Sequence, residues 1–587
     1  MVMKINFKLI LFYGLLLLLV QSSSSQNSKA PEPKLFGDSK KFHISSLGEN
    51  VFLFDPGMDM RMIQTLIDTL YNIQHERKSE FTTKRYAFLF KPGSYHLDIK
   101  LGYYMEAIGL GASPHEVVIN GAVISRGLKN GNVTTNFWRS FENLTIIPPN
   151  DSSIIWGVSQ ASPARRVHIK GNIQLHDKGW ASGGFLADSK IDGTVLAGPQ
   201  QQWFSRNSDI GSWDGGQWNI MFVGVKNAPT DQWPANPYTV IKETPFIREK
   251  PYWVYNKTGF TICIPKLKNN SLGVSWLDKT EPVNKKSLNS FYIVKQGIDN
   301  SESINAALIA GKSLLFTPGI YSIDKSLQVT RPGTVIMGIG MATLVATKGN
   351  TIMEISDVDG VTISGLIFDA GKISSKTLLQ VGEPNSNRNH IKQPSFLFDV
   401  FFRVGGPAEG SASSCLIINS NQVCVDHIWL WRADHGNGVG WDKNVAANGL
   451  IVNGNQVLIY GLFNEHFQEY QTIWNGNKGR LYFYQSELPY DPPSVDSWNH
   501  DGIGGYASYK VSDKVNNHEA WGLGIYCVFY AAPIIVTNTI ETPQKIEKDI
   551  HHKIIFWLNG IKESKILSII NGKGDGADIS KRKSIMD

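Results

Sequence analysis

"FLFKPGSYHLD" at residues 88–98 and "LLFTPGIYSID" at residues 314–324 follow one pattern: an apolar run, a Pro-Gly turn, a tyrosine and an alternating stretch closing on Asp. Each is preceded by apolar residues at helical spacing, "MIQTLIDTLYNI" from Met62 and "SINAALIAG" from Ser303. Each is followed by a Gly-x-Gly strand end, in "AIGLG" (107–111) and "VIMGIGMATLV" (335–345). A helix, strand, turn and strand that recur in the same order mean tandem related domains.

Behind the second opening come "VTISGLIFDAG", "CLIINSNQVCVDHIWLW", "NGLIVNGNQVLIYGLF" and "RLYFYQSELPY"; behind the first come "SFENLTIIPP" and "RRVHIKGNIQLHD". Short apolar segments at regular spacing, with Asn, Asp and Gly at the bends, predict a solenoid of parallel coils over a sandwich. The expected fold is all-β, with two tandem right-handed parallel β-helices at 27–227 and 291–570. A Pro-rich junction is expected over 228–290 and a short tail over 571–587.

The chain has 587 residues, 42% hydrophobic and 18% charged, with 55 Gly, 16 Trp and 20 Tyr. This is globular composition, with enough apolar residue to fill a large core. The net charge of +6 is spread without a Lys/Arg block, which excludes a nucleic-acid footprint. Lys4 and Lys8, the apolar run Leu9–Val20 and "QSSSSQ" have the order of a cleaved secretory signal over 1–26. The run is shorter than the ~20 residues needed to span a bilayer, so a secreted monomer without stable membrane insertion is expected. Glycosylation sequons at Asn132, Asn143, Asn150, Asn256 and Asn269 agree with export. Cys263, Cys415, Cys424 and Cys527 are too few to staple the fold, and Cys415 and Cys424 flank a turn where they pair or remain buried thiols.

Glu487 stands among Phe483, Tyr484, Leu488 and Tyr490, a setting that raises a carboxyl pKa and suits proton donation to a glycosidic oxygen; the bland alternative is a rim carboxylate. "DHIWLWRADHGNGVGW" and "NEHFQEYQ" add Asp426, His427, Asp434, His435, Trp441, Glu465, His466 and Glu469. Neighbours on a strand point to opposite faces, so the Asp-His pairs do not jointly ligate an ion; no metal or cofactor is expected. In-register stacking, which brings residues about twenty apart side by side, instead makes a groove of carboxylates, imidazoles and indoles suited to a polysaccharide. Trp441, Asp442, His435, Tyr490 and Trp474 are candidate sugar contacts in the second half. Gln201, Gln202, Trp203 and Arg206 are candidates in the first, where an Asn/Gln ladder inside the coil is an equal reading. No nucleophile elbow or phosphate-cradling loop occurs. A polyuronate lyase would need Arg403 or Arg432 as base, and the chain has no Asp-rich calcium cluster.

Through its doubled Pro-Gly openings, "QQQWFSRNS", "QSELPYDPP" and "WGLGIYCVF", the sequence resembles the exo-β-1,3-glucanases of glycoside hydrolase family 55. That resemblance implies two tandem β-helices packed side by side and Glu487 as general acid of an inverting hydrolysis. It also implies that Gln201 and Gln202 hold water or substrate. The base stays open among Glu465, Glu469, Asp434 and Asp442. "RADHGNGVGW" and "PYDPP" also resemble a group often labelled adenylyl cyclase, an activity that would require paired metal carboxylates and a triphosphate cradle. A non-catalytic carbohydrate-binding or cell-wall protein is the third reading, and it requires Glu487 to be solvent-exposed.

Overall fold

The computed structural model describes residues 46–128, 130–149, 152–277 and 282–587. The expected signal segment and Asn150 lie outside these residues. The chain is nearly all strand, wound as parallel ladders in the manner of a β-helix. One ladder runs Val51–Phe54, Tyr86–Phe90, Met105–Gly109, Arg139–Glu142, Pro163–Arg165, Phe185–Ala187, Gln202–Arg206, Asn219–Val223 and Tyr238–Ile241, every pair parallel. A second begins at Phe291–Val294 and continues through Thr362–Asp369, Phe396–Val404, Cys424–Arg432, Leu458–Glu465, Gly479–Glu487, His518–Phe529 and Ile550–Gly560. Each ladder faces another parallel sheet across an apolar core of its own.

The helices expected before the two Pro-Gly turns are Met60–Gln74 and Ser301–Ile309. Asp59 caps the first by accepting from the Arg61 N–H, and Asn300 with Ser303 forms a capping box on the second. The junction carries more structure than its proline content suggests. Tyr238–Ile241 still belongs to the first ladder, and Thr244–Ile247 with Lys268–Ser271 and Tyr252–Asn256 with Gly259–Pro265 form antiparallel pairs. The expected tail includes Lys583–Met586, which pairs antiparallel with Ile550–Gly560.

From Ser46 onward the chain is one compact unit, because the outer faces of the two ladders are buried against each other. Strands such as Phe396–Val404 are therefore buried on both faces and read as continuous apolar runs. The polar residues in those runs pair across the interface. Arg165 binds Asp399 and Asp426, Arg206 binds Asp426 and Glu249, and Lys250 binds Glu142 and Asp399. Arg206 is thus a structural cation and not a sugar ligand.

The long strands of the second ladder bend at one column of left-handed residues, Gly365, Asp399, His427, Gly461, Phe483 and Gly522, with φ of 66, 51, 70, 69, 71 and 67°. The left-handed residue resets the alternation. Tyr482 and Phe483 both join the interface cluster, Tyr484 returns to the core, and Gln485 and Glu487 point outward again.

All four cysteines are buried free thiols, so Cys415 and Cys424 do not pair. Asn143 is fully buried and its Nδ2 donates to the Gly109 and Gly111 carbonyls, which rules out a glycan there. Asn256 and Asn269 are exposed, and Asn132 is partly exposed.

Glu106 is buried at the interface, accepting from the Gly340 N–H at 2.7 Å and the Ser140 hydroxyl at 3.0 Å. Burial, opposed by Lys250 and helped by Glu142, pushes its carboxyl up to about 7. The raised folded value favours the protein fully below the ordinary carboxyl range, and that advantage is lost as pH rises through about 7. Glu106→Gln is therefore expected to be more stable than the parent above pH 7, by up to about 3 kcal/mol, and similar near pH 4. Thermal unfolding across pH measures the difference.

Candidate active site

Beyond the bend, the outward residues of successive rungs form a column, Trp431, Glu465, Glu487 and Tyr526, each beside the next in strand register. Trp429, Phe463 and Gln485 form the column next to it. Opposite stands the first ladder, where Gln160, Ser182 and Gln202 lie on neighbouring coils: the Nε2 groups of both glutamines reach Ser182 Oγ, at 3.5 and 3.2 Å. Gln160 Nε2 also crosses the groove to Glu465 Oε1 at 2.9 Å, and Trp429 Nε1 donates to Glu465 Oε2 at 2.9 Å. Glu487, at its strand end, accepts from the Tyr490 hydroxyl, and Gln485 Nε2 lies 3.4 Å from its other oxygen. The Pro-flanked turn after Glu487 is what folds Tyr490 back onto the carboxyl. Arg432 anchors that turn through Asp491, with contacts of 2.9 and 3.0 Å.

At the Trp431 end the two halves of the chain are bridged by side chains. Phe81, from the coil before the second strand of the first ladder, lies parallel to Trp431 with 6.2 Å between ring centroids. Beside it His435 Nε2 meets Glu80 Oε1 at 2.7 Å, and His435 Nδ1 meets Asp434 Oδ1 at 2.8 Å. Burial opposes the imidazolium, but the two carboxylates outweigh it and raise His435 to about 9. Asp434 is held down to about 2, its burial outweighed by the His435 bond and the charge of His466.

The two glutamates sit differently from Asp434. Burial lifts the Glu465 carboxyl against the pull of His466, Trp429 and the glutamine donors. Burial lifts Glu487 much further, and Glu465 and Asp434 add to the rise because two negative groups oppose a third. The site thus sets one carboxyl with a raised pKa beside one with a depressed pKa and one hydrogen-bonded partner, the separation that acid-base chemistry on a glycoside needs. Gln160 Oε1, Gln202 Oε1, Gln485 Oε1 and the Tyr526 hydroxyl are buried around the column without a hydrogen-bond partner.

An exo-beta-1,3-glucanase of Streptomyces sp. (strain SirexAA-E / ActE) is 42% identical over 534 residues, which is 90% of this chain and 87% of that protein. The chain belongs to the Lam55 family. It is accordingly a glycoside hydrolase. The LAM55 pectate lyase-like domain matches residues 292–487, a span that ends on Glu487. The structure of sacteLam55A from Streptomyces sp. SirexAA-E superposes with a TM-score of 0.88 at 40% identity, covering 92% of this chain and 98% of that one. A glutamate-to-alanine variant of sacteLam55A in complex with glucose matches equally, with a TM-score of 0.88 at 41% identity over 92% and 98% of the two chains.

Within this Lam55 fold the candidates from sequence divide. Glu487, Glu465, Asp434, His435, Tyr490 and Gln202 meet at the groove. Gln201 contributes through its carbonyl, which takes the Trp218 and Asn219 N–H groups and so places Trp218. Trp441 lies under Arg432, 5.5 Å from ring centre to guanidinium, and supports the Tyr490 turn from behind. Trp203 and Trp474 are fully buried in the two coil cores and touch no groove, because inward positions of a solenoid are filled by large apolar side chains. Glu469 and Asp442 are exposed on loops outside the column. Adjacency did not keep Asp434 from His435: the strand ends at Arg432, and the turn brings both side chains together. Arg403 and Arg432 are paired with Asp369 and Asp491, so neither is free to act as a lyase base. The metal site that the cyclase reading requires finds no cluster of three His, Cys, Asp or Glu among the described residues. Sequence reading missed Gln160, Glu80, Phe81, Trp431, Gln485 and Tyr526; Gln485 was within reach, two residues before Glu487 on the same strand, whereas the coils that join Trp431 to Glu465 and Glu487 to Tyr526 are longer than the twenty or so residues the sequence suggests.

Proposed function

We propose that this protein is a secreted exo-acting β-1,3-glucan hydrolase in which Glu487 is the general acid of an inverting reaction. The observation that carries the reading is the Glu487 carboxyl, its pKa raised by burial and by Glu465 and Asp434, at a strand end where Tyr490 folds back onto it and His435 and Phe81 bridge the ladders nearby. The linkage and the exo action follow the activity named for the Streptomyces relative. The bridged end supports the exo action independently, since a chain terminus fits against Glu80, Phe81 and His435. The exposed sequons at Asn256 and Asn269 support passage through a secretory route.

In this mechanism Glu487 protonates the glycosidic oxygen as the bond to the terminal sugar breaks. Water attacks from the side of the first ladder, where Gln160 and Gln202 present unpartnered carbonyl oxygens. Glu465, bonded to Gln160 Nε2, ends that hydrogen-bonded chain and takes up the proton the attacking water loses, passed through the amide as its imidic acid form. Neighbouring parallel rungs lie only ~4.8 Å apart, closer than the ~6.5–9.5 Å of a directly opposed inverting pair, which is why the glutamine stands between Glu465 and the water. The first product is expected to be α-glucose, read by proton NMR in the opening minutes of β-1,3-glucan hydrolysis; β-glucose as first product would refute inversion.

The acid must be protonated to work, so kcat/KM falls as pH rises through the lifted Glu487 value. Asp434→Asn removes one of the charges that lifts it. Its alkaline limb is expected to move to lower pH, because removing a like charge lowers a carboxyl pKa. A pH profile of kcat/KM on β-1,3-gluco-oligosaccharides measures this, and an unmoved limb would separate Glu487 from the acid role.

A further inference from the structure

A second groove lies at the other ends of the same strands. Glu465 and Glu487 are the last residues of Leu458–Glu465 and Gly479–Glu487. Cys424, Leu458, Arg480 and Glu519 stand in register at the strand starts and floor a groove of about 540 Å³. One wall is a row of coil corners. Gln422, Gln456 and Lys478 take left-handed φ of 51, 55 and 57°, and their N–H groups donate to the carbonyls of Asn455, Asn477 and Asn517 one coil on. Gln422 Nε2 also donates to Gln456 Oε1 at 3.2 Å, which ties the row along its length. The facing wall is the junction pair Thr244–Ile247 and Lys268–Ser271. There Phe246 stands opposite Asn269 in antiparallel register, which puts both side chains on one face, and both line the groove.

We infer that Asn269, in the sequon Asn269-Asn270-Ser271, carries a glycan that folds back into this groove and joins the junction to the second ladder. The inference rests on the secreted reading and adds to it a sugar held as a structural part of the protein. In the secretory compartment the transfer bonds C1 of the first N-acetylglucosamine to Asn269 Nδ2; the amide gives up one proton and the donor's lipid-linked pyrophosphate leaves. Ser271 serves that transfer in the unfolded chain. In the fold its hydroxyl accepts from Asn207 Nδ2 at 2.8 Å, which fixes the strand that aims Asn269. Beside the attachment point the Phe246 ring offers a flat face to the C–H side of the first sugar. Across the groove the Gln422, Gln456 and Asn517 amides both donate and accept and Lys478 donates, as sugar hydroxyls and acetamide groups require. The volume lies in the ~300–1,000 Å³ range of a small-molecule site, enough for the core disaccharide. Asn256, by contrast, stands at the exposed turn between Tyr252–Asn256 and Gly259–Pro265.

The test expresses the full chain in a eukaryotic host that leaves high-mannose glycans, maps occupancy by peptide mass spectrometry and follows trimming by endoglycosidase H. The Asn269 glycan is expected to be trimmed about tenfold more slowly in the native than in the denatured protein, because the enzyme must wait for the folded contact to open. A glycan at the Asn256 turn is expected to be trimmed alike in both. Gln456→Asn together with Lys478→Asn shortens the reach of the facing wall, and asparagine tolerates the left-handed backbone at both positions. Both side chains are exposed, so this variant is expected to fold and to lose the protection at Asn269. Three results overturn the inference and leave the secreted reading standing: a bare Asn269 in secreted protein, equal native and denatured rates, or protection unchanged in the double variant. A chain that stays inside the host, bare at both sites, overturns both.

Discussion

Glu487→Gln is expected to lose hydrolysis of β-1,3-glucan by about 10²- to 10⁴-fold, the contribution of a positioned general acid, with the fold intact. The amide keeps the shape of the acid and can still accept from the Tyr490 hydroxyl, but it has no proton to give. The diagnostic comparison is the leaving group. The dinitrophenolate of a dinitrophenyl β-glucoside departs as a stable anion and needs little protonation, so hydrolysis of that substrate is expected to slow much less than that of a glucan. If both substrates lose equally, Glu487 acts by holding the sugar and the acid lies elsewhere. No other carboxyl in the groove fits the task as well. Asp434 is pinned as an anion by His435, and Glu465 has both oxygens engaged by Gln160 and Trp429. Thermal unfolding of the variant separates a chemical loss from a structural one.

The repeated Pro-Gly openings made the parallel solenoid legible, because each opening is a local pattern, helix then turn then strand, and local patterns survive in one sequence. The chemistry of Glu487 was partly legible for the same reason: its apolar neighbours and the rigid "LPYDPP" turn lie within a few residues of it. The partnership of Glu465 with Glu487 depends on knowing the coil length, and counting one coil back from Glu487 lands on Glu465. Gln160 had no signal of that kind. It sits in an irregular coil with φ of 20°, and it matters only because the other ladder docks against it. Trp203 and Trp474 misled for the converse reason. An indole that fills a coil core and one that faces a sugar look alike in sequence, and the choice is made by the inward or outward phase of the strand. At the bend, that phase is reset by a left-handed residue that need not be glycine, as Asp399, His427 and Phe483 show.

Asp399→Asn is expected to cost about 3–5 kcal/mol of stability, the usual penalty for breaking a buried pair from one side. Its carboxylate takes Arg165 through two contacts of 2.7 and 2.8 Å, His427 Nδ1 at 2.8 Å and Lys250 at 3.3 Å, all buried between the ladders. Burial alone would lift this carboxyl, but Arg165 and Lys250 hold it far below the ordinary range. A depressed folded value gives stability that is present above the ordinary carboxyl pKa and is lost as pH falls below it. The gap between parent and variant, followed by chemical unfolding, is therefore expected to be full near pH 7 and to narrow below pH 4. Asparagine is the informative replacement because it tolerates the left-handed backbone at this position, whereas alanine would add strain of its own. Activity is expected to fall further than the folded fraction accounts for. His427 Nε2 donates to the Gln160 carbonyl at 3.0 Å, and Gln160 is the residue that reaches Glu465. The chain Arg165, Asp399, His427, Gln160, Glu465 thus runs from the ion pairs that join the ladders to the carboxylate beside the acid. Loosening its first links would let Gln160 drift while Glu487 stays in place on its own strand. A variant whose kcat merely tracks its folded fraction would show that the interface network supports the fold and has no part in aiming the site.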